Sequence, residues 1–140
     1  MLYSFHFYSP HEFTYQETGE WSASRGIVYP GMAHDDAWHP PLLWNQEQLR
    51  KQMDGARRFA ARHRARIVVG EAGCGREGMG SSRARRAEGV RGLFEDLGFD
   101  WLFFWVEGWG APADFRHGWA VENSPDVEPL LLAYLGKNKV

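Results

Sequence analysis

The sequence predicts an α/β fold in which three parallel strands alternate with helices on one face of the sheet. Three short apolar segments, at residues 2–8, 66–71 and 100–106, have the composition of buried strands. Two helical patterns separate them, one from residue 45 onward and one from residue 82 onward. Because strands joined through a helix must run parallel, these segments predict a parallel sheet.

The composition fits a single domain over residues 1–140 and excludes several classes of protein. The chain is 44% hydrophobic with a formal net charge of −2, so it can bury a core and is not a globally basic nucleic-acid binder. One cysteine, Cys74, excludes an internal disulfide framework and a multi-cysteine zinc site. No apolar run reaches the roughly 18 residues of a membrane span. The first residues predict a strand rather than a secretory signal. We therefore expect neither nucleic acid nor membrane as a partner.

Capping residues mark the boundaries of the two long helices. Asn45 is a good N-cap, with Gln48 at the N3 position of a capping box. An apolar stripe follows, made of Leu49, Met53, Ala56, Phe59 and Ala60. Ser82 can cap the second helix and Gly98 is placed to end it. A short third helix is predicted around residues 129–135.

Residues 9–44 contain four prolines and no sustained hydrophobic period. An irregular segment of this length is unusual in a compact domain, which indicates a functional loop. Residues 26–30 could add a short strand within it.

Helices on a single face of a parallel sheet are typical of a piece of a (β/α)8 barrel, which needs eight strands where this chain supplies three. Such a half-barrel leaves two strand edges unpaired and its inner face bare. From strand alternation we expect that face to include Leu2, Ile67, Val69, Trp101 and Phe103. The chain is therefore expected to form a homo-oligomer or to associate with a complementing barrel fragment.

Four side chains with binding or catalytic chemistry fall at the carboxyl ends of the predicted strands, where parallel α/β sheets bind their ligands. His6 and Tyr8 end the first strand, Glu71 the second and Trp105 the third. Alternation is expected to place all four on one surface. Each also has a structural interpretation: Glu71, for example, could simply accept backbone N–H bonds from the glycine-rich loop that follows it.

Three motifs in the expected order carry a resemblance to a known family. Residues 2–14 resemble a sixth barrel strand and its loop, with a His-x-Tyr pair at His6 and Tyr8. Residues 69–73, Val-Gly-Glu-Ala-Gly, are similar to a seventh-strand Gly-Glu-Phe-Gly motif, with alanine replacing the aromatic residue. Trp105 matches an eighth-strand tryptophan. The chain thus resembles the C-terminal part, strands six to eight, of the cellulase-like glycoside hydrolases, family 5 of clan A.

This resemblance implies a glycosidase that cleaves the O-glycosidic bonds of β-glycans by a retaining mechanism. Glu71 would be the nucleophile, with His6 and Tyr8 hydrogen-bonded around it and the sugar. Trp105, together with Trp38, would stack on a sugar ring. This chemistry requires no metal and no organic cofactor.

The same resemblance implies that a retaining enzyme's second carboxyl group is missing. In the family the acid/base lies in an Asn-Glu pair at the end of the fourth strand, and the chain contains no Asn-Glu. Glu107, two residues beyond Trp105, is the best internal candidate for a second carboxylate. The alternative function is therefore a non-catalytic carbohydrate-binding remnant or an inactive fragment.

Three weaker patterns point elsewhere. Residues 73–78 fit the G-x-G-x-x-G dinucleotide pattern, although the next helix begins too late. Residues 34–36 with His39 could bind a metal ion, although such a loop is more often simply polar. The arginines between residues 50 and 91 could contact phosphates, although charges on outer helix faces are usually solvated.

Overall fold

A computed structural model describes residues 1–16, 19–74, 81–103 and 128–135. Its strands are β1 (Leu2–Phe7), β2 (Gly31–Ala33), β3 (Leu42–Trp44), β4 (Arg66–Ala72) and β5 (Asp100–Phe103). Its α-helices are α1 (His11–Thr14), α2 (Gln46–His63), α3 (Ser81–Asp96) and α4 (Glu128–Leu135), and a 3₁₀ turn covers Gly19–Trp21. None of the helices in these ranges is both long enough and apolar enough to cross a bilayer.

The main sheet has three parallel strands in the order β1–β4–β5. The α/β class and the parallel sheet predicted from the apolar segments are therefore confirmed. Strand β4 is the most buried of the three because it lies between the other two, which shield both of its edges. The predicted third strand continued to residue 106, but residues 104–106 lie outside the described ranges.

The helices α2 and α3 bury one face of this sheet. The shared core contains Leu49 and Met53 from α2, and Val90, Leu93 and Phe94 from α3, packed on Phe7, Ile67 and Val69 of the strands. Rings meet edge to face within it, with the centroids of Phe7 and Phe94 6.0 Å apart. The core thus fixes the helices against one side of β1 and β4.

A β-bulge in β4 reverses the facing of its last residues. Phe5 pairs with Val69, but His6 pairs with Glu71, so Gly70 is an extra residue opposite β1. The β5 register skips at the same place. A Cβ on Gly70 would lie 2.6 Å from Oγ of Ser4, so the close approach favours glycine here.

Four apolar side chains of β4 and β5 face the helices and not the bare inner face on which they were predicted. Alternation placed Ile67 and Val69 on the bare inner face with Glu71, whereas they are 4% and 0% exposed in the core. Trp101 also packs against the core, and Phe103 lies on the same side of β5. These four assignments were wrong because the strands present their larger apolar residues to the helices.

The opposite side of the sheet, which we call the open face, carries Leu2, Ser4, His6, Arg66, Val68, Gly70, Glu71, Asp100 and Leu102. Leu2 was correctly expected there and is 60% exposed, and Leu102 is 59% exposed. Arg66 and Asp100 form an ion pair across it at 2.8 Å. The open face therefore combines exposed apolar and charged side chains.

Between β1 and α2 the chain forms a small antiparallel hairpin of β2 and β3. The short strand expected at residues 26–30 is wrong; the strand begins at Gly31 instead. Trp44 anchors the hairpin, since it is 1% exposed and its indole N–H donates to the Ala33 carbonyl at 3.0 Å.

The predicted caps are largely confirmed. The Asn45 side chain accepts a hydrogen bond from the Gln48 backbone N–H at 2.9 Å. Gly98 has φ +66°, the left-handed conformation that ends a helix. Ser82 does not cap α3, because the helix begins at Ser81 and Ser82 is buried in its first turn.

Candidate active site

The carboxylate of Glu71 is the centre of a polar cluster at the carboxyl ends of β1 and β4. The Tyr8 hydroxyl donates a hydrogen bond to Oε2 of Glu71 at 2.7 Å. Nδ1 of His6 lies 3.3 Å from the same oxygen. The Glu71 side chain is 33% exposed and that of His6 is 56% exposed, so solvent and a ligand can reach the cluster.

The bulge at Gly70 is what brings these residues together. In a regular strand without the bulge, Glu71 would face the same side as Ile67 and Val69, towards the core under α2 and α3. With it, Glu71 pairs with His6 and joins the open face. Alternation predicted the meeting of His6, Tyr8 and Glu71, but by an incorrect register.

The helix α1 holds the backbone next to Tyr8. Thr14 is fully buried, and its hydroxyl donates to the Tyr8 carbonyl at 2.6 Å. The Tyr15 ring, directly after α1, lies 5.6 Å from the Tyr8 ring. The phenol of Tyr8 is thus fixed from its backbone side as well as through Glu71.

Electrostatics keep both phenols protonated. Burial, followed by the hydrogen bond and charge of Glu71, raises the pKa of Tyr8 far above its usual range. Burial and then the charge of Glu71 also raise the pKa of Tyr15. Tyr8 therefore acts as a hydrogen-bond donor to the carboxylate at neutral pH.

Tyr15 was not among the residues selected from the sequence. Its nearness to Glu71 depends on the turn that α1 makes after β1, and a four-residue helix leaves too little periodicity to predict that turn.

Two arginines of α3, Arg83 and Arg86, are each only 1% exposed, so the expectation of solvated charges on the helix faces is wrong for them.

Of the two tryptophans predicted to stack on a sugar, only Trp38 lies within the described residues. Trp38 is 90% exposed in the segment that joins β2 to β3, and its backbone N–H donates to Asp36 at 2.8 Å. Trp105 and Glu107 lie outside the described residues. The same holds for most of the glycine-rich pattern, since residues 75–80 are not described.

The polar loop at residues 34–39 forms its own hydrogen bonds. The Asp35 carboxylate accepts hydrogen bonds from the Ser9 hydroxyl and the His11 backbone N–H, at 3.0 and 3.2 Å. Asp36 contacts the His39 ring at 2.9 Å. Within the described ranges, no three histidine, cysteine or acidic side chains form a cluster suited to a metal ion. The loop residues thus brace the start of α1.

Comparisons with known proteins agree with this architecture. No model of a protein family matches the sequence, and no curated protein matches it. Solved structures do match the fold. A glycoside hydrolase is 21% identical with a TM-score of 0.67, over 99% of this chain and 42% of its own. A hyperthermophilic endo-β-1,4-glucanase, solved in complex with substrate, is 26% identical with a TM-score of 0.62, over 95% of this chain and 38% of its own.

Endoglucanase Cel5A from Thermotoga maritima is 22% identical with a TM-score of 0.61, over 83% of this chain and 35% of its own. The resemblance to cellulase-like glycoside hydrolases is thereby confirmed at the level of the fold. The chain spans only 35% to 42% of the length of these three structures, so its fold is that of part of such an enzyme.

Proposed function

We propose that this chain is the nucleophile-bearing part of a retaining glycosidase that acts on β-glycans, with Glu71 as the nucleophile. The observation that carries the proposal is the 2.7 Å hydrogen bond from Tyr8 to Glu71 at the end of a parallel strand, in a fold shared with cellulase-like hydrolases. We further propose that β1, β4 and β5 correspond to barrel strands six to eight.

The hydrogen bonding at Glu71 leaves one carboxylate oxygen available. Among the described residues, Tyr8 and His6 contact the carboxylate, and both contact Oε2 rather than Oε1. A donor on one oxygen stabilises the charged carboxylate and orients the other oxygen. Oε1 is thus the atom proposed to attack the anomeric carbon.

The proposed step forms a bond between Oε1 and the anomeric carbon while the bond to the leaving oxygen breaks. The electron pair of that bond remains on the leaving oxygen, which needs a proton unless it is already a stable anion. We propose that this proton donor lies outside the chain, on a complementing barrel segment or a second copy. Exposed Trp38, with Trp105, is proposed to stack on the sugar.

A covalent trapping experiment tests the proposal. A 2-deoxy-2-fluoro-β-glucoside with a dinitrophenyl leaving group needs no proton donor, and its fluorine slows hydrolysis of the glycosyl–enzyme. We expect the intact protein to gain the mass of one fluoroglucosyl group and peptide mapping to place it on Glu71. Glu71→Gln should gain none.

Glu47→Gln is the matched control, because Glu47 is an exposed glutamate of α2 that pairs with Lys51 at 2.9 Å. It should be labelled like the wild type. A folded wild type that gains no mass would contradict the nucleophile assignment. If that protein nevertheless bound cello-oligosaccharides, the alternative of a non-catalytic carbohydrate-binding remnant would replace it.

A further inference from the structure

Arg86 connects the ends of the two strands that carry the candidate site. It projects from α3 and is 1% exposed. Its Nε and Nη2 donate to the Ser9 carbonyl at 3.2 and 2.7 Å, and its Nη1 donates to the Gly73 carbonyl at 3.1 Å. One guanidinium group therefore bonds both strand ends.

Burial of this charge is costly, which argues that the position has a specific purpose. Burying an ion costs several kcal/mol unless it is paired or well hydrogen-bonded, on the order of the stability of a whole small domain. Burial also lowers the pKa of Arg86, although a guanidinium group stays charged in proteins. The Cys74 side chain, followed by Tyr29 and Asp35, acts in the opposite direction, as do the two carbonyl oxygens. The Phe7 ring centroid also lies 6.0 Å from the guanidinium carbon.

The two carbonyls lie next to the candidate site. Ser9 directly follows Tyr8, and Gly73 comes two residues after Glu71. The guanidinium plane presents its donors in a fixed fork, so it sets the separation of the two backbones. The 2.7 Å bond between Tyr8 and Glu71 spans the same two strand ends and tolerates only a few tenths of an ångström.

We propose that Arg86 is a positioning residue, which holds Tyr8 in hydrogen-bonding register with Glu71. The expected effect on the reaction rests on the proposed function, whereas the expected effect on the distance between Tyr8 and Glu71 does not. Arg86 does not touch the sugar in this scheme; it acts through the Ser9 and Gly73 carbonyls.

The test compares Arg86→Lys with Arg85→Lys. Lysine keeps the charge, but a single ammonium group cannot reproduce the fork to both carbonyls. Arg85 is a matched control on the same helix, because its Nε donates to the Tyr29 carbonyl at 3.1 Å and not to either strand end. Crystal structures and trapping kinetics with the dinitrophenyl fluoroglucoside are measured for both variants and the wild type, at a temperature where circular dichroism shows each folded.

In Arg86→Lys we expect the distance from Tyr8 Oη to Glu71 Oε2 to exceed about 3.5 Å. The trapping rate at saturating glucoside should fall by about 10- to 100-fold, with little change in the concentration that half-saturates it. Arg85→Lys should match the wild type in both measurements. A purely structural role would alter the melting temperature and leave the rate per folded molecule unchanged.

The outcomes separate the two proposals. An unlabelled wild type would refute the nucleophile, and the crystal distance would still decide the role of Arg86. A retained 2.7 Å bond or a wild-type trapping rate in Arg86→Lys would overturn the positioning role. If Arg86→Lys does not fold, Arg86→Gln, which removes the charge, takes its place. Failure of both to fold would make Arg86 a residue of the core and overturn the inference.

Discussion

The phenol of Tyr8 and the carboxylate of Glu71 meet at 2.7 Å although 63 positions separate them in the sequence. Tyr8 follows β1 at the edge of the sheet, and Glu71 belongs to the central strand β4. Burial and the neighbouring carboxylate keep the phenol protonated, so the hydrogen bond has a fixed direction from Tyr8 to Glu71. Several measurable properties depend on that direction.

Tyr8→Phe should weaken the proposed reaction without unfolding the protein. The substitution removes a hydrogen bond to a charged group, worth about 1.5–3 kcal/mol, so the trapping rate should fall by roughly 10- to 100-fold. The trapping kinetics of the folded variant provide the measurement. A rate equal to that of the wild type would show that the bond does not prepare Glu71 for attack.

The raised pKa of Tyr8 predicts a loss of stability at alkaline pH. Below about pH 10 the phenol is protonated in both the folded and the unfolded chain, and its contribution is fully present. Above that value the unfolded chain releases the proton first, so the folded state is progressively destabilised. Tyr8→Phe should therefore lose less stability than the wild type between about pH 8 and about pH 11 in urea titrations. Identical losses would contradict the raised pKa.

Leu49→Ala should strongly destabilise the domain, because Leu49 is completely buried between α2 and the sheet. Truncation of a leucine in a packed core costs about 2–5 kcal/mol of unfolding free energy. Leu43→Ala is the matched control, since Leu43 is 57% exposed on β3 and should cost under about 0.5 kcal/mol. Chemical denaturation of both variants measures the difference, and equal costs would argue against this core.

The 140-residue chain should associate through its open face. Leu2 and Leu102 are about 60% exposed there, and covering apolar surface contributes about 25 cal/mol per Å². Sedimentation at micromolar concentration should show species larger than a monomer, and Leu102→Lys should shift the distribution towards the monomer. A wild-type chain that remains monomeric at high concentration would refute this expectation.

The three-stranded sheet was predictable because its signals are local. The apolar runs of β1 and β4 and the caps at Asn45 and Gly98 lie within a few residues of the boundaries they determine. The hairpin of β2 and β3 was not predicted, since three-residue strands are too short to show alternation.

The side of the sheet that Glu71 faces could not be predicted from regular strand alternation. Strict alternation from Ile67 assigns Glu71 to the same side, and only an interruption at Gly70 reverses this. A glycine inside an apolar strand is the one local hint of such an interruption. Arg86 and Tyr15 had no comparable signal, because their partners are residues distant in the chain or beyond a short turn.

The bulge also separates two kinds of selection acting on one strand. Up to Val69, β4 must satisfy the volume of the core, whereas Glu71 must satisfy a chemical geometry on the other side of the sheet. Because the bulge at Gly70 sets which side Glu71 faces, mutations that change the packing at Ile67 or Val69 can accumulate without moving the carboxylate to the other side of the sheet. Loss of Val68 would instead make Ile67 and Val69 neighbours on opposite faces of the sheet and take one of them out of the core. The strand can therefore tolerate drift in its composition far better than drift in its length.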